Sequence, residues 1–138
     1  MQASPASSNP LAVLDGHKFA NLTTLRKNGQ EVTTPVWFVK IGDNVYVMTP
    51  QTTGKVKRLR NNPAARIGPS NQRGRPLGAQ IAVVGRLLGE SENAPVLQAL
   101  NAKYGLMKRV IDFILRLRGL ASQRIYLEFK AAAEPLSR

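Results

Sequence analysis

The chain contains no cysteine and a single histidine. The lack of cysteine excludes disulfides, thiolate metal sites and cysteine nucleophiles. One histidine excludes multi-histidine metal sites, and a Ser-His-Asp triad would depend on His17 alone. His17 lies in the DGHKF stretch, a predicted turn before the first strand, so a surface or capping role is the better interpretation. We therefore expect a function that needs no resident metal.

Long apolar runs are also absent. No stretch approaches the roughly 18 apolar residues that a membrane-spanning helix needs. The first ten residues, MQASPASSNP, lack the positive start and apolar run of a signal peptide, so we expect a cytoplasmic protein. Their Ser, Pro and Ala content predicts a flexible tail over residues 1–10. Residues 11–138 are too few for two domains and predict one.

Acidic residues are scarce, with 8 Asp and Glu against 20 Lys and Arg, which gives a net charge of +12. A field of this sign attracts nucleic acid, acidic lipid surfaces, and phosphorylated or carboxylated small molecules. The charge alone does not choose among these partners.

Alternating β-branched and aromatic residues predict six strands. The first three are joined by the Asn28-Gly29 turn and the IGDN turn, which indicates an antiparallel meander. We predict a mainly β fold, a small barrel of about six antiparallel strands with helices packed outside. The predicted strands span residues 19–26, 31–40, 44–49, 64–68, 79–89 (largely buried) and 122–130.

Three helices are predicted beside the strands. A short one starts at Thr52 or Thr53 and ends before Pro63, with Val56 and Leu59 towards the core. A helical pair, 93–105 and 106–119, precedes the last strand. The second helix of this pair is basic and amphipathic, so it suits burial against the barrel or a partner subunit, with weak peripheral membrane contact as the minority alternative.

The second strand carries the run TTPVWFVK, in which Pro35 indicates a strand edge or a bulge. Val36 and Phe38 would share one face, and Trp37 the other. Taken alone, these residues favour plain packing over a ligand site by roughly two to one. The alternative is that threonine hydroxyls, bare amides and a large aromatic hold a planar heteroaromatic ring.

The run TPQTTGKVKRLRNNP, residues 49–63, places four basic residues near a strand-to-helix junction without an acid. Thr49, the first amides of the helix and Lys55 could converge on one phosphate. A solvated helix face is the simpler interpretation, but surface helices usually mix charge signs. A nucleic-acid interface would need exposed stacking aromatics, which the neighbouring strands do not obviously supply. Arg73 and Arg75, in loop 69–78, are either a second anion contact or a mobile surface loop.

Four segments in this order resemble the pyridoxamine-phosphate-oxidase-like flavin and deazaflavin oxidoreductases. They are TLRKNGQEVTTPVWF, VYVMT, GKVKRLRNNPAARIG and GAQIAVVGR. Within that family the chain is most similar to the small branch of deazaflavin (coenzyme F420)-dependent enzymes. The resemblance runs from about Phe19 to Arg86. It implies a split β-barrel and a homodimer with the cofactor at the subunit interface.

The resemblance also implies the site residues. Thr34, Pro35, Val36 and Trp37 would lie along the flavin or deazaflavin ring. Thr49 and Lys55, supported by Lys57 and Arg60, would hold the cofactor phosphate, and Gln80 matches a glutamine that opens the fifth strand in flavin-binding relatives. The implied cofactor-binding set is Thr34, Pro35, Val36, Trp37, Met48, Thr49, Lys55, Lys57, Arg60 and Gln80.

The resemblance therefore predicts an oxidoreductase that transfers a hydride between coenzyme F420, or FMN, and a small unsaturated organic substrate. F420 ranks first because the positive charge suits its more acidic tail. No Asp, Glu or His falls into the implied pocket as a general acid, so no catalytic residue is assigned. This keeps open a non-catalytic module that binds or stores a flavin, deazaflavin or tetrapyrrole. A basic nucleic-acid-binding barrel is the third alternative, and we expect no nucleic-acid partner.

Overall fold

The structure, a computed structural model, describes residues 9–50, 54–117 and 124–132. Residues 1–8 of the predicted tail lie outside these ranges, as do Thr52 and Thr53. The last two residues of the predicted helix 106–119 and the first two of the predicted strand 122–130 also lie outside them. The six strands are β1 (Phe19–Leu25), β2 (Glu31–Ile41), β3 (Asn44–Pro50), β4 (Ala64–Ser70), β5 (Ile81–Leu87) and β6 (Arg124–Ala131). The two helices are α1 (Gly54–Asn61) and α2 (Asn93–Leu117).

The strands close into an antiparallel barrel in the order β1-β2-β3-β6-β5-β4. The chain starts the barrel as a meander, and Gly29 takes a positive φ of 87° in the β1–β2 turn, where the Asn-Gly pair predicted a hairpin. β6 then inserts between β3 and β5, and β1 closes onto β4. The prediction of a mainly β fold with six antiparallel strands and outer helices is confirmed.

The interior of the barrel is packed with apolar side chains from all six strands, including Leu22, Phe38, Ile67 and Phe129. Gly85 makes room for the largest of them, because a Cβ at that position would lie 2.6 Å from Phe129 Cε1. β5 alternates between buried and exposed residues, and Val84 is 47% exposed. The prediction that this strand is largely buried is wrong, because only its inner face meets the core.

α1 lies against β1 and β5 at one end of the barrel. Val56 and Leu59 are its buried residues, as their spacing predicts, and Leu59 joins the barrel core. Asn62 Oδ1 accepts a hydrogen bond from the Ala64 N–H at 3.1 Å, which carries the chain from the helix into β4.

α2 packs on the outside of β2. Gly105 is non-helical, with φ 55° and ψ −128°, and divides α2 into the two helical segments that the sequence predicts. Val96, Leu100 and Tyr104 of the first segment form a second apolar cluster with outward-facing strand residues. Within the described residues, neither helix combines the length and the apolar character needed to cross a membrane.

Candidate functional site

The barrel is split between β2 and β3. These strands pair over only four residue pairs, from Phe38↔Val47 to Ile41↔Asn44. Beyond that point β2 continues on β1, from Trp37 back to Glu31, and β3 continues on β6 as far as Pro50. We call the unpaired stretch between the first half of β2 and the end of β3 the cleft.

The cleft separates two groups of residues that the resemblance assigns to one site. If the β2–β3 register continued, Trp37 would face Met48 and Val36 would face Thr49. Residues of the implied ring site thus form one side of the cleft, and Met48 and Thr49 belong to the other. Pro35 lies on this stretch of β2, where its missing N–H costs no β2–β3 hydrogen bond, so the prediction of a strand edge at Pro35 is confirmed.

The residues of β2 alternate between the barrel interior and its outer surface. Val36 belongs to the interior core and is 7% exposed, whereas Trp37 packs in the outer cluster beneath α2. The Trp37 ring stacks on Tyr104 with centroids 4.6 Å apart and planes 11° from parallel. One face of Trp37 is thus occupied by protein, as the packing interpretation expects.

Thr34 has an unsatisfied hydroxyl. It pairs with Leu22 of β1, whose side chain is fully buried in the barrel, so both point to the interior face. Thr34 Oγ1 is buried and has no hydrogen-bond partner among the described residues. An unpaired buried hydroxyl costs free energy, and a ligand edge in the cleft that offers a hydrogen bond would recover it.

The basic residues of α1 divide into two groups. Lys55 and Lys57 are two positions apart, which puts them about 200° apart around the helix. Lys55 is half-buried, whereas Lys57 and Arg60 are exposed. Burial, and then the nearby charge of Arg58, lowers the pKa of Lys55 below its ordinary value. Among these three residues, which the resemblance assigns to the phosphate, Lys55 therefore has the least solvated charge.

Arg58 is bonded to the barrel. Its Nε donates a hydrogen bond to Thr24 Oγ1 at 2.6 Å, and Thr24 is fully buried at the end of β1. This hydrogen bond therefore fixes the position of the guanidinium group on the barrel.

Gln80 lies apart from the cleft. Its side chain contacts Thr23 Oγ1 at 3.4 Å and accepts from Arg66 Nε at 3.3 Å, on the outer surface of β1 and β4. Thr23 in turn shares a 2.7 Å hydrogen bond with Thr33 of β2. Gln80 is thus linked to β2 only through two threonine hydroxyls.

The loop after β4 is ordered by one asparagine. Asn71 Oδ1 accepts hydrogen bonds from the N–H groups of Arg73 and Arg75, each at 2.9 Å. The Gly74 carbonyl accepts from Asn21 Nδ2 at 2.7 Å, which ties the loop to β1 beside Pro35. The two arginines are exposed, and these hydrogen bonds hold their loop at its tip.

Two residues of α2 border the cleft strand and carry no signal in the sequence beyond helical spacing. The Tyr104 hydroxyl accepts from the Phe38 N–H at 2.9 Å and lies 2.8 Å from the Phe38 carbonyl and 2.7 Å from the Lys18 carbonyl. Lys103 Nζ donates to the Phe38 carbonyl at 2.9 Å and sits 3.4 Å from the centre of the Phe38 ring. Burial lowers the pKa of Lys103 to about 8 and raises that of Tyr104 to about 12.

No protein-family model and no curated protein matches this chain. Solved structures do match it. A candidate pyridoxamine 5'-phosphate oxidase from Listeria innocua has 15% identity and a TM-score of 0.61, covering 88% of this chain and 89% of its own. An F420 reductase has 17% identity and a TM-score of 0.58, with 88% and 92% covered. HutZ, the heme storage protein from Vibrio cholerae, has 15% identity and a TM-score of 0.64, with 96% and 92% covered.

These similarities extend over almost the whole chain at low sequence identity, so they establish the architecture and not the activity. The neighbours include a candidate pyridoxamine 5'-phosphate oxidase, an F420 reductase and a heme storage protein, so one architecture occurs in proteins with different functions. The resemblance read from the sequence is confirmed at the level of the fold: this chain has the split-barrel fold of the pyridoxamine-phosphate-oxidase-like proteins.

Proposed function

We propose that the protein is an oxidoreductase that holds coenzyme F420, or alternatively FMN, in the cleft between β2 and β3. The observation that carries the proposal is Thr34 Oγ1, a buried hydroxyl without a partner beside an opening in the barrel. A planar heterocycle with hydrogen-bonding edges matches this cleft, which is bordered by the backbone edge of β2. The similarity to an F420 reductase supports this choice of cofactor.

The proposed binding residues act in two groups. Thr34, Pro35, Val36 and Trp37 supply the wall of the cleft that faces the ring, and Met48 supplies the opposite wall. Thr49 and Lys55, supported by Lys57 and Arg60, hold the phosphate, and Gln80 acts from the outer surface. When bound, the cofactor supplies the hydride chemistry, and the protein supplies orientation and exclusion of water.

The Trp37–Tyr104 stack gives the cleft a rigid wall. Tyr104 binds the backbone of both Phe38 and Lys18, so Trp37 rests on a side chain that is itself fixed at the end of β1. A rigid wall lowers the entropy cost of fixing a planar ligand. We propose a homodimer that completes the cofactor site, and a small unsaturated molecule as substrate.

The direct test is titration of the purified protein with FMN and with F420, followed by absorbance and fluorescence. Trp37 is the only tryptophan, so quenching of its emission reports directly on the cleft. We expect saturable binding with F420 tighter than FMN, and sedimentation as a dimer in the presence of cofactor. Binding of neither compound would remove the proposal.

The phosphate contact has its own prediction. Lys55→Ala should weaken cofactor binding by about 1.5–3 kcal/mol, because a charge-assisted hydrogen bond from a half-buried amine is lost. This corresponds to roughly ten- to hundredfold in Kd. Lys130→Ala is the matched control, since Lys130 is an exposed lysine on β6. Equal and small effects of both variants on Kd would mean that Lys55 does not contact the phosphate.

A second candidate function is non-catalytic binding or storage of a tetrapyrrole, which the similarity to a heme storage protein favours. His17 is then the only imidazole that could ligate iron. Hemin titration separates the two functions, because a sharp Soret band that is lost in His17→Ala would favour the tetrapyrrole. Unchanged binding of F420 in His17→Ala would favour the oxidoreductase.

A further inference from the structure

A basic cavity of about 390 Å³ lies between the β1–β2 turn and α1, outside the cleft. Two of its cations, Arg26 and Lys27, come from the turn, and two, Lys57 and Arg58, come from the helix. Cations from two separate elements thus converge on one space. The full lining is Arg26, Lys27, Gly54, Lys57, Arg58 and Asn61.

Among the described residues, these four cations have no carboxylate within ion-pair distance. In residues 9–50, 54–117 and 124–132, the side-chain ion pairs involve Lys40, Arg66 and Arg86. None of them reaches the cavity. Other cations on the surface are thus paired with carboxylates of the protein itself. The charge of the cavity is available to bind an anion from solution.

Arg58 forms a fixed part of the cavity. Its Nε is bonded to the buried Thr24 hydroxyl, and a Cβ at position 54 would lie only 2.5 Å from Arg58 Nη1. The guanidinium thus occupies space that only a glycine at position 54 leaves open. Burial, and then the charge of Arg26, lowers the pKa of Arg58.

We propose that this cavity is a second anion site, which binds a small molecule with two or more adjacent phosphate groups. Its volume exceeds by about tenfold the roughly 30 Å³ that one water occupies, so it has room for more than a single phosphate. An adjoining cavity of about 290 Å³ shares Arg26, Lys27 and Asn61 with it and adds Leu25 and Asn62. Uncharged and apolar groups there could contact an organic part of the ligand.

The site is distinct from the proposed cofactor site. Arg26 and Lys27 belong to no part of the cofactor set, and Lys55 does not line the cavity. Lys57 alone is common to both assignments. Variants of Arg26 and Lys27 therefore test the cavity without touching the residues assigned to the cofactor.

The experiment is calorimetric titration of the full chain with pyrophosphate and with ADP at low and at physiological salt. We expect binding of both, weakening as salt rises. The double variant R26A/K27A should bind pyrophosphate at least tenfold more weakly while F420 or FMN titrations stay within twofold of the wild type. R73A/R75A removes the same charge from the loop after β4 and should leave pyrophosphate binding within twofold.

A second variant, Gly54→Ala, tests the position of Arg58, because the added methyl group displaces the guanidinium end and should weaken pyrophosphate binding without unfolding the protein. Absence of pyrophosphate binding by the wild type would overturn the proposal, as would equal losses in the two double variants. Parallel loss of cofactor and pyrophosphate in R26A/K27A would assign the cavity to the cofactor. Tight binding of single-stranded oligonucleotides with no binding of ADP would make the surface a nucleic-acid interface instead.

Discussion

Thr33 and Thr34 are neighbours on β2 whose hydroxyls have opposite environments. Thr33 Oγ1 shares a hydrogen bond with Thr23 on the outer surface, whereas Thr34 Oγ1 is buried and unpartnered. A strand turns successive side chains to opposite faces, so this contrast follows from one residue of register. The pair separates a threonine that serves the fold from one that is available to a ligand.

We predict that Thr34→Val leaves the free energy of unfolding of the ligand-free protein unchanged or raises it by up to about 1 kcal/mol, because it removes an unsatisfied hydroxyl. The same variant should weaken cofactor binding severalfold. Thr33→Val is the control and should lower stability by about 1 kcal/mol, since it breaks a formed hydrogen bond. Urea denaturation and cofactor titration of both variants check this, and a large loss of stability in Thr34→Val would contradict it.

Lys103 is a single residue with a pH-dependent effect on stability. Lys103 is exposed as a whole, but its amine lies over the Phe38 ring, and this local burial lowers its pKa from the ordinary 10.5 to about 8. Between these values the unfolded chain holds a proton that the folded protein has released. Stability therefore rises with pH through this window, and the full penalty applies below pH 8.

We predict that the free energy of unfolding of the wild type increases relative to that of Lys103→Met as the pH rises from about 7.5 to 9.5. Measurement below pH 10 avoids the Tyr104 hydroxyl, whose raised pKa acts in the opposite direction. Lys55 also has a lowered pKa, so only the difference between wild type and variant isolates Lys103. Parallel curves for the two proteins would show that the Lys103 amine is solvated.

At the scale of elements, a side chain of α2 supplies hydrogen bonds at the point where the β1–β2 pairing stops. β1 begins at Phe19, opposite Trp37, so Phe38 of β2 has β3 on one side but no β1 residue on the other. The Tyr104 hydroxyl takes that place by bonding Phe38 and Lys18 together. The helix therefore holds β2 in position at the point where the cleft begins.

We predict that Tyr104→Phe lowers the free energy of unfolding by about 1–3 kcal/mol, because the buried Phe38 N–H loses its partner. Tyr104→Leu should cost about 0.5–1.5 kcal/mol more, since the stack on Trp37 is also lost. Trp37 emission should shift to the red only in the leucine variant. An equal shift in both variants would mean that the hydroxyl, and not the stack, positions Trp37.

Elements were more predictable from the sequence than contacts between them. The Asn28-Gly29 turn, the alternation in β2 and the spacing of Val56 and Leu59 each depend on neighbours in the chain, and each is confirmed. The Tyr104 hydroxyl bond and the Arg58–Thr24 anchor join residues 66 and 34 positions apart. No local pattern encodes such separations, so the sequence predicts neither the Tyr104 bond nor the Arg58 bond.

At the scale of the whole molecule, a closed barrel and a high charge oppose each other. The order β1-β2-β3-β6-β5-β4 closes the barrel, and the β2–β3 and β4–β5 pairings are its shortest, with four residue pairs each among the described residues. The net charge of +12 favours expansion of the chain by self-repulsion. Where cations crowd without acids, as around Arg26 and Arg58, that repulsion is strongest.

We predict that the melting temperature rises by several degrees as NaCl increases from about 0.01 to 0.15 M, because the Debye length shortens from about 30 to 8 Å. R26A/K27A and R73A/R75A lower the net charge equally, so a pure net-charge effect would reduce this salt response equally in both. We expect R26A/K27A to reduce it more, since Arg26 and Lys27 line the same cavity as Lys57 and Arg58 of α1. Differential scanning fluorimetry of the three proteins across a salt series decides between the two, and equal slopes for the two variants would mean that the repulsion is spread over the whole surface.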